Sequence, residues 1–246
     1  MGRCSSSGVE VLVRIVVLAL AGLGLAQSVR PPAADVRLPP VAMQAADAGP
    51  APLAYLLARA GVTAGIVTLQ NPSDFTFLRG AAGLDAPATE ALADVLARFT
   101  EKHSEYRAVW RDRVLGLAPD GQTCTAAVRM TMVGPMDYTG DASRVVVFLT
   151  WLVRGRQGTP RGMTGSVLGS LKDLGQSLAE VQFTLAKPAS MEAALDKVLQ
   201  MAGGGVWFTW EHTRSDGRVG CRSVVYWPNG LVSAPEEDFF IAGAPR

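Results

Sequence analysis

Histidine is scarce in this chain, which carries only His103 and His212 in 246 residues. Neither stands in an H-x-x-x-H or Cys/His spacing, so the pattern of a metal centre is missing. His103 lies in the polar connection "FTEKHSEYR" and His212 near a hairpin end in "WEHTRSDG", and both read as surface residues. No G-x-S-x-G nucleophile elbow occurs. The glycine-rich stretches "GRQGTPRGMTGSVLGS" and "AGGGVW" lack the P-loop's G-x-x-x-x-G-K-[ST], and Gly203 to Gly205 read as a helix-ending turn. One-sided charge is also missing: 23 basic and 22 acidic residues are scattered, which excludes the massed basic face of a nucleic-acid binder. The sequence therefore offers no catalytic, cofactor-binding or metal-ligating set.

What is present begins at the N-terminus. Arg3 precedes the apolar run "VLVRIVVLALAGLGLA", interrupted by Arg14. The stretch Ile15 to Ala26 has the length of a signal-peptide apolar region and is short for a membrane span. Gly24 and Ala26 place small residues at the −3 and −1 positions of a cleavage site before Gln27. Residues 1–26 are thus expected to be a signal peptide, and the protein periplasmic or secreted; an uncleaved anchor is the rival, and only that rival implies a membrane. Removing Arg3, Arg14 and Glu10 from 23 basic and 22 acidic residues leaves 21 of each. Residues 27–52, rich in Pro and Ala, are expected to be a disordered tether with too little apolar surface to offset its ordering entropy.

Export also bears on the cysteines. Cys124 and Cys221 are the pair left after cleavage, either a disulfide or two buried thiols. A disulfide would close a loop of about 100 residues, contributing up to ~4 kcal/mol in the chain-entropy model.

The chain also repeats itself. "LDAPATEALADVL" begins at Leu84 and "LAKPASMEAALDKVL" at Leu185. Thr89 and Ser190 read as helix N-caps. After them, Leu92, Val95, Leu96 and Phe99, and Met191, Ala194, Leu195, Val198 and Leu199, fall on single helical stripes. Upstream of the first stands a helix through Leu53, Leu56, Leu57 and Ala60, then the strand "AGIVTLQ"; upstream of the second, a helix through Leu168 and Leu171, then "AEVQFTL". Downstream come two hairpins, "YRAVWRDRVLGLAP" around Arg111-Asp112 and "VWFTWEHTRSDGRVGCRSVVYWP" around Asp216-Gly217. Between the copies "AAVRMTMVG" reads as a strand. "DASRVVVFLTWLVRG" reads either as a strand or as a helix with Val145, Phe148, Leu149 and Leu152 inward.

The order of strand, small-residue turn, capped helix and hairpin resembles the short N-terminal domain of secretins and TonB-dependent receptors. Leu84, Leu92, Leu96, Tyr106, Trp110 and Val114 stand at the framework positions. The second copy matches through its helix and hairpin but replaces the polar "TEKHSEYR" linker with "MAGGGVWF". The resemblance implies an α+β fold with a helix packed on a small sheet, and a periplasmic interaction role without catalysis.

The expected organisation is two helix-on-sheet units arising by duplication, at residues 53–119 and 164–234, joined by a connecting segment 120–163 and followed by a tail at 235–246. In that tail "PEEDFF" reads as a solvated acidic feature. The second hairpin holds Trp207, Phe208, Trp210, Tyr226 and Trp227, more aromatics than the first. They form either core or a contact surface, and Trp207 and Tyr226 are the candidate contacts for a protein or peptide partner in the cell envelope. The expected function is a non-enzymatic, exported interaction module. The alternatives are an exported thiol enzyme using Cys124, with His103 or His212 as its partner, and a membrane-anchored structural factor of the envelope.

Overall fold

A computed structural model of the chain describes residues 35–69, 83–153, 166–167, 180–228, 232–234 and 238–243. The expected signal peptide, its cleavage after Ala26 and the expected helix through Leu168 and Leu171 lie outside these residues. The expectation of a disordered tether is corrected within it: residues 35–52 are ordered. β1 (Arg37–Leu38) leads through Pro39-Pro40 into α1 (Val41–Ala48), and Pro50 starts α2 (Pro50–Arg59). The composition that reads as too poor to fold is alanine, the strongest helix former. Ala42, Ala45 and Ala46 are fully buried, their small side chains letting α1 approach its neighbours closely. Arg98 ties this segment down, its Nε 2.6 Å from Asp47 Oδ1 and its second nitrogen 3.0 Å from Oδ2.

β2 (Thr63–Thr68) follows, then β3 (Glu90–Ala91), α3 (Leu92–Lys102), β4 (Tyr106–Arg111) and β5 (Val114–Pro119). The turn between β4 and β5 is tight enough to put Asp112 at φ 50°. The run at residues 126–134, expected to be a strand, is one only at Met132–Val133; Thr123–Met130 is helix α4, with Cys124, Ala127 and Val128 turned inward on a helical stripe. Next come β6 (Met132–Val133), β7 (Met136–Asp141) and α5 (Ala142–Val153), so the ambiguous run is a helix, and Val145 and Leu149 are buried as that alternative requires. The chain continues with β8 (Ser166–Val167), β9 (Glu180–Leu185), β10 (Ala189–Ser190), α6 (Met191–Met201), β11 (Gly205–Thr213), β12 (Val219–Tyr226), β13 (Val232–Ala234) and β14 (Phe240–Ile241). The fold is mixed α+β, as expected.

The long helices α3 and α6 begin alike. β3 pairs antiparallel with β1 and β10 with β6. The first amide of α3, Leu92 N–H, donates to Val36 O at 3.1 Å, and the first of α6, Met191 N–H, donates to Thr131 O at 2.8 Å. Ser190 caps α6 as expected, accepting from Ala193 N–H at 3.2 Å. Thr89 does not cap α3, whose cap position is Ala91. Its hydroxyl sits on Glu90, and the β1–β3 ribbon supplies the carbonyl for the first amide instead. The second ribbon is longer, because β7 also pairs with β9.

The two expected units do not hold separate sheets. One eight-stranded sheet runs β4-β5-β2-β11-β12-β13-β8, with β14 added on β12, and the halves join through the parallel pair β2–β11. Strand alternation sends residues to opposite faces. Ile66, Leu115, Leu117, Val206, Phe208, Val224 and Tyr226 share one core with α1, α2 and α3. Val67, Trp207, Cys221, Val225 and Trp227 share the other with α4, α5 and α6. The helices of each half thus cover opposite faces, and β11 and β12 lie in the middle layer, buried from both sides. A disulfide joins Cys124 on α4 to Cys221 on β12, stapling the second helical layer to the sheet.

Candidate functional site

The aromatic hairpin is not a contact surface. Trp207 and Tyr226 are each only 1% exposed, and Phe208 and Trp227 are buried with them. This corrects the assignment of Trp207 and Tyr226 as partner contacts. The physical reason is position in the sheet: a strand covered on both faces needs large apolar side chains on both, so the surplus aromatics fill two cores.

Trp207 instead forms part of a junction between the halves. Its ring lies against Gly65 of β2, where an added Cβ would stand 2.1 Å from ring carbon Cζ2. Its Nε1–H donates to Asp196 Oδ1 of α6 at 2.6 Å. Arg111 at the end of β4 crosses bare Gly116 in the same way and donates from its Nε and a terminal nitrogen to Asp196 Oδ2 at 3.3 and 3.1 Å. Its other nitrogen reaches Glu192 Oε1 at 3.1 Å, and Arg129 Nε lies 3.7 Å from the same oxygen. Gly65 and Gly116 are register partners in β2 and β5. A glycine pair thus makes room for an indole and a guanidinium over the sheet. Charge-assisted bonds of this kind are stronger than neutral ones.

The first hairpin supplies the exposed counterpart. β4 is the end strand of the sheet, and no described strand pairs with its outer side. Arg107 and Ala108 are exposed, and Val109 is 53% exposed. The two-residue turn at Asp112-Arg113 makes Arg111 and Val114 a hydrogen-bonded pair, so the amides of Arg107, Val109 and Arg111 face β5 and those of Ala108 and Trp110 face outward. A sheet edge carrying outward-facing amides and a projecting valine is a template for another extended chain.

Cys124 is fully buried and bonded to Cys221, so it holds no thiolate and does not serve as the nucleophile of the thiol-enzyme alternative in this state. His103 is half-buried rather than solvated, with Nε2 3.2 Å from Ala46 O and its ring against Phe99 and Tyr106. Tyr106 itself is pushed up to about 12 chiefly by burial, and its hydroxyl donates to Thr68 Oγ1 at 2.8 Å. Among the described residues, no group of three or more His, Cys, Asp or Glu could hold a metal ion.

A second polar cluster was not legible in the sequence. Asp238, expected to be solvated, has a side chain with no exposure. Its Oδ1 lies 2.7 Å from His212 Nε2 and accepts from Arg222 Nε at 3.2 Å, while Arg214 donates to Oδ2. Burial alone would raise its carboxyl, but the bonds from His212 and Arg214 and the charge of Arg222 outweigh it and hold the group below the ordinary carboxylate value. His212 is thus a close partner of the buried Asp238 carboxylate, not a free surface residue. The alternation in "TWEHTR" places His212 on the face of Trp210, a signal that the hairpin tip carried a polar site, but nothing local identified a carboxylate in the tail as its partner.

Among the described residues no helix is long and apolar enough to cross a membrane. No protein-family model matches the chain, and no curated protein and no solved structure matches it significantly.

Proposed function

We propose that the protein is an exported, non-enzymatic interaction module that arose by duplication, and that it takes an extended segment of an envelope protein as an added strand on β4. The carrying observation is the edge itself: an end strand with outward amides at Ala108 and Trp110 and an exposed Val109 between them. Two further features support the reading. The buried Cys124–Cys221 disulfide fits an oxidising compartment. The matching order of each half, in which a short strand pairs with the dipeptide before an eleven-residue helix that leads into a hairpin, fits a doubled unit of the secretin and TonB-receptor type.

A proline at an outward amide blocks strand addition while leaving the β4–β5 ladder intact. A photocrosslinker at Val109 in producing cells is expected to trap a partner peptide, and Ala108→Pro to abolish the adduct without lowering the melting temperature by more than a few degrees. An adduct of undiminished yield in Ala108→Pro would show that the edge is not the docking strand. Terminal sequencing of the exported material is expected to read from Gln27; recovery of intact Met1 in the membrane fraction would favour the anchored alternative.

A further inference from the structure

The C-terminal segment lies on the sheet as a bound peptide does. β14 pairs antiparallel with β12 where β13 no longer reaches, with Gly220 opposite Ile241 and Cys221 opposite Phe240. Phe239 N–H donates to Cys221 O at 3.0 Å and Ala242 N–H to Val219 O at 2.9 Å. The side chains alternate across the strand edge: Asp238 enters the cluster of His212, Arg214 and Arg222, and Phe239 is buried in the core of the opposite face. Gly220 beneath the carboxylate is required, since a Cβ there would stand 2.8 Å from both Asp238 Oδ2 and His212 Nε2. Main-chain pairing, one apolar anchor and one charge-assisted anchor are the elements of peptide recognition by strand addition.

We infer that the tip of the β11–β12 hairpin is a peptide-recognition site for an extended Asp-Phe segment, which the chain fills with its own Asp238-Phe239. The guanidinium groups of Arg214 and Arg222, the His212 imidazole and bare Gly220 define the chemistry of the occupant: a carboxylate followed by an aromatic residue, in extended conformation. Because the C-terminal segment is tethered close by, its effective concentration is high, and it excludes a free peptide unless its own anchor is weakened. This site is separate from β4 and stands whether or not the β4 edge binds a partner.

The probe is a labelled synthetic peptide of residues 235–243, Pro-Glu-Glu-Asp-Phe-Phe-Ile-Ala-Gly, titrated against the full chain. Asp238→Ala is expected to bind it about tenfold or more tighter than wild type, because the variant's own segment no longer competes fully. The peptide with Asn in place of Asp is expected to bind that variant about tenfold more weakly, and the added Arg222→Ala to abolish binding. Equal binding of the Asp and Asn peptides, or no binding to a folded Asp238→Ala chain, overturns the inference. If Asp238→Ala does not fold, hydrogen exchange in wild type decides. The Phe239 and Ala242 amides are then expected to exchange about a hundredfold faster than that of Val224, as a displaceable segment requires. Equal protection makes the segment a fixed part of the core and overturns the inference equally.

Discussion

Val109 and Phe208 occupy the same place in their hairpins. α3 and α6 each end three residues before the next strand, and each of these residues is the fourth of that strand. Both point away from the helices of their own half. Yet Val109 is more than half exposed, whereas Phe208 is buried against α1, α2 and α3 of the other half. The same comparison holds along the strands: Arg107, Val109 and Arg111 on β4 stand against Val206, Phe208 and Trp210 on β11. The difference lies in the order of the sheet. β11 is central and receives the partner half's helices on its free face, while β4 is the end strand and no described helix covers Arg107 and Val109. Side-chain size follows coverage, and an aromatic-rich hairpin marks the middle of a shared sheet.

The most severe way to break this comparison is to disrupt either helix layer. Leu92 on α3 and Leu195 on α6 are fully buried in opposite cores. Leu92→Asp and Leu195→Asp each bury an unpaired carboxylate at a cost of several kcal/mol, comparable to a domain's stability. Because both cores share β11 and β12, each variant is expected to lose the whole fold in one transition, followed by circular dichroism and tryptophan emission together. A variant that melts half its signal and keeps the rest would show that the halves fold independently.

Phe208→Ala comes next, with an expected loss of about 3–5 kcal/mol by denaturant titration, as for other buried aromatics. Smaller again is Gly65→Ala. A methyl group placed against the Trp207 ring overpacks the junction, at a cost of about 1–3 kcal/mol. In a Trp207→Leu background the same change is expected to cost little, and a double-mutant cycle measures the coupling. Additive losses would mean that the ring does not lie on Gly65 in solution.

Acid acts locally on the second hairpin. The Asp238 carboxyl is held below its ordinary value of 3.8, so its contribution is complete above that value and is lost as pH falls through the lower, folded one. His212, Arg214 and Arg222 face it, and Asp216 pairs with Arg214 and Arg218 close by. Exchange at the Phe239 amide, corrected for the intrinsic pH dependence of exchange, is expected to stay protected from pH 7 to 5 and to lose protection below 3.8 before the Val224 amide does. Simultaneous loss at both would place the segment within the global unfolding unit.

Much of this was written in local pattern. The stripes Leu92-Val95-Leu96-Phe99 and Leu195-Val198-Leu199 and the hairpin turns at Asp112 and Gly217 all stand where the spacing puts them, while of the two readings of Cys124 and Cys221 the structure has the disulfide. What failed was non-local. The role of Trp207 depends on β2 running beside β11, a pairing between residues far apart in the chain that no window of sequence encodes. Asp238 looked solvated because its partners His212, Arg214 and Arg222 all lie on the β11–β12 hairpin, 16 to 26 residues before it. Ala-rich α1 looked too poor in apolar surface to fold because the close approach that buries it depends on α2 and α3.

The smallest effect tests the comparison most directly. Val109→Lys removes an apolar side chain whose surface is mostly in water already, so little burial is lost. The lysine that replaces it keeps its ammonium in solvent, with Arg107, Ala108 and Arg113 as exposed neighbours. Charged residues on end strands are the usual protection against edge-to-edge association. The expected change in stability is within about 0.5 kcal/mol, as for most surface positions, against several for Phe208→Lys at the matching place. Denaturant titration of both variants reads the contrast. If Val109→Lys costs more than about 2 kcal/mol, β4 is covered in the folded protein, and both the end-strand assignment and the docking edge drawn from it are wrong.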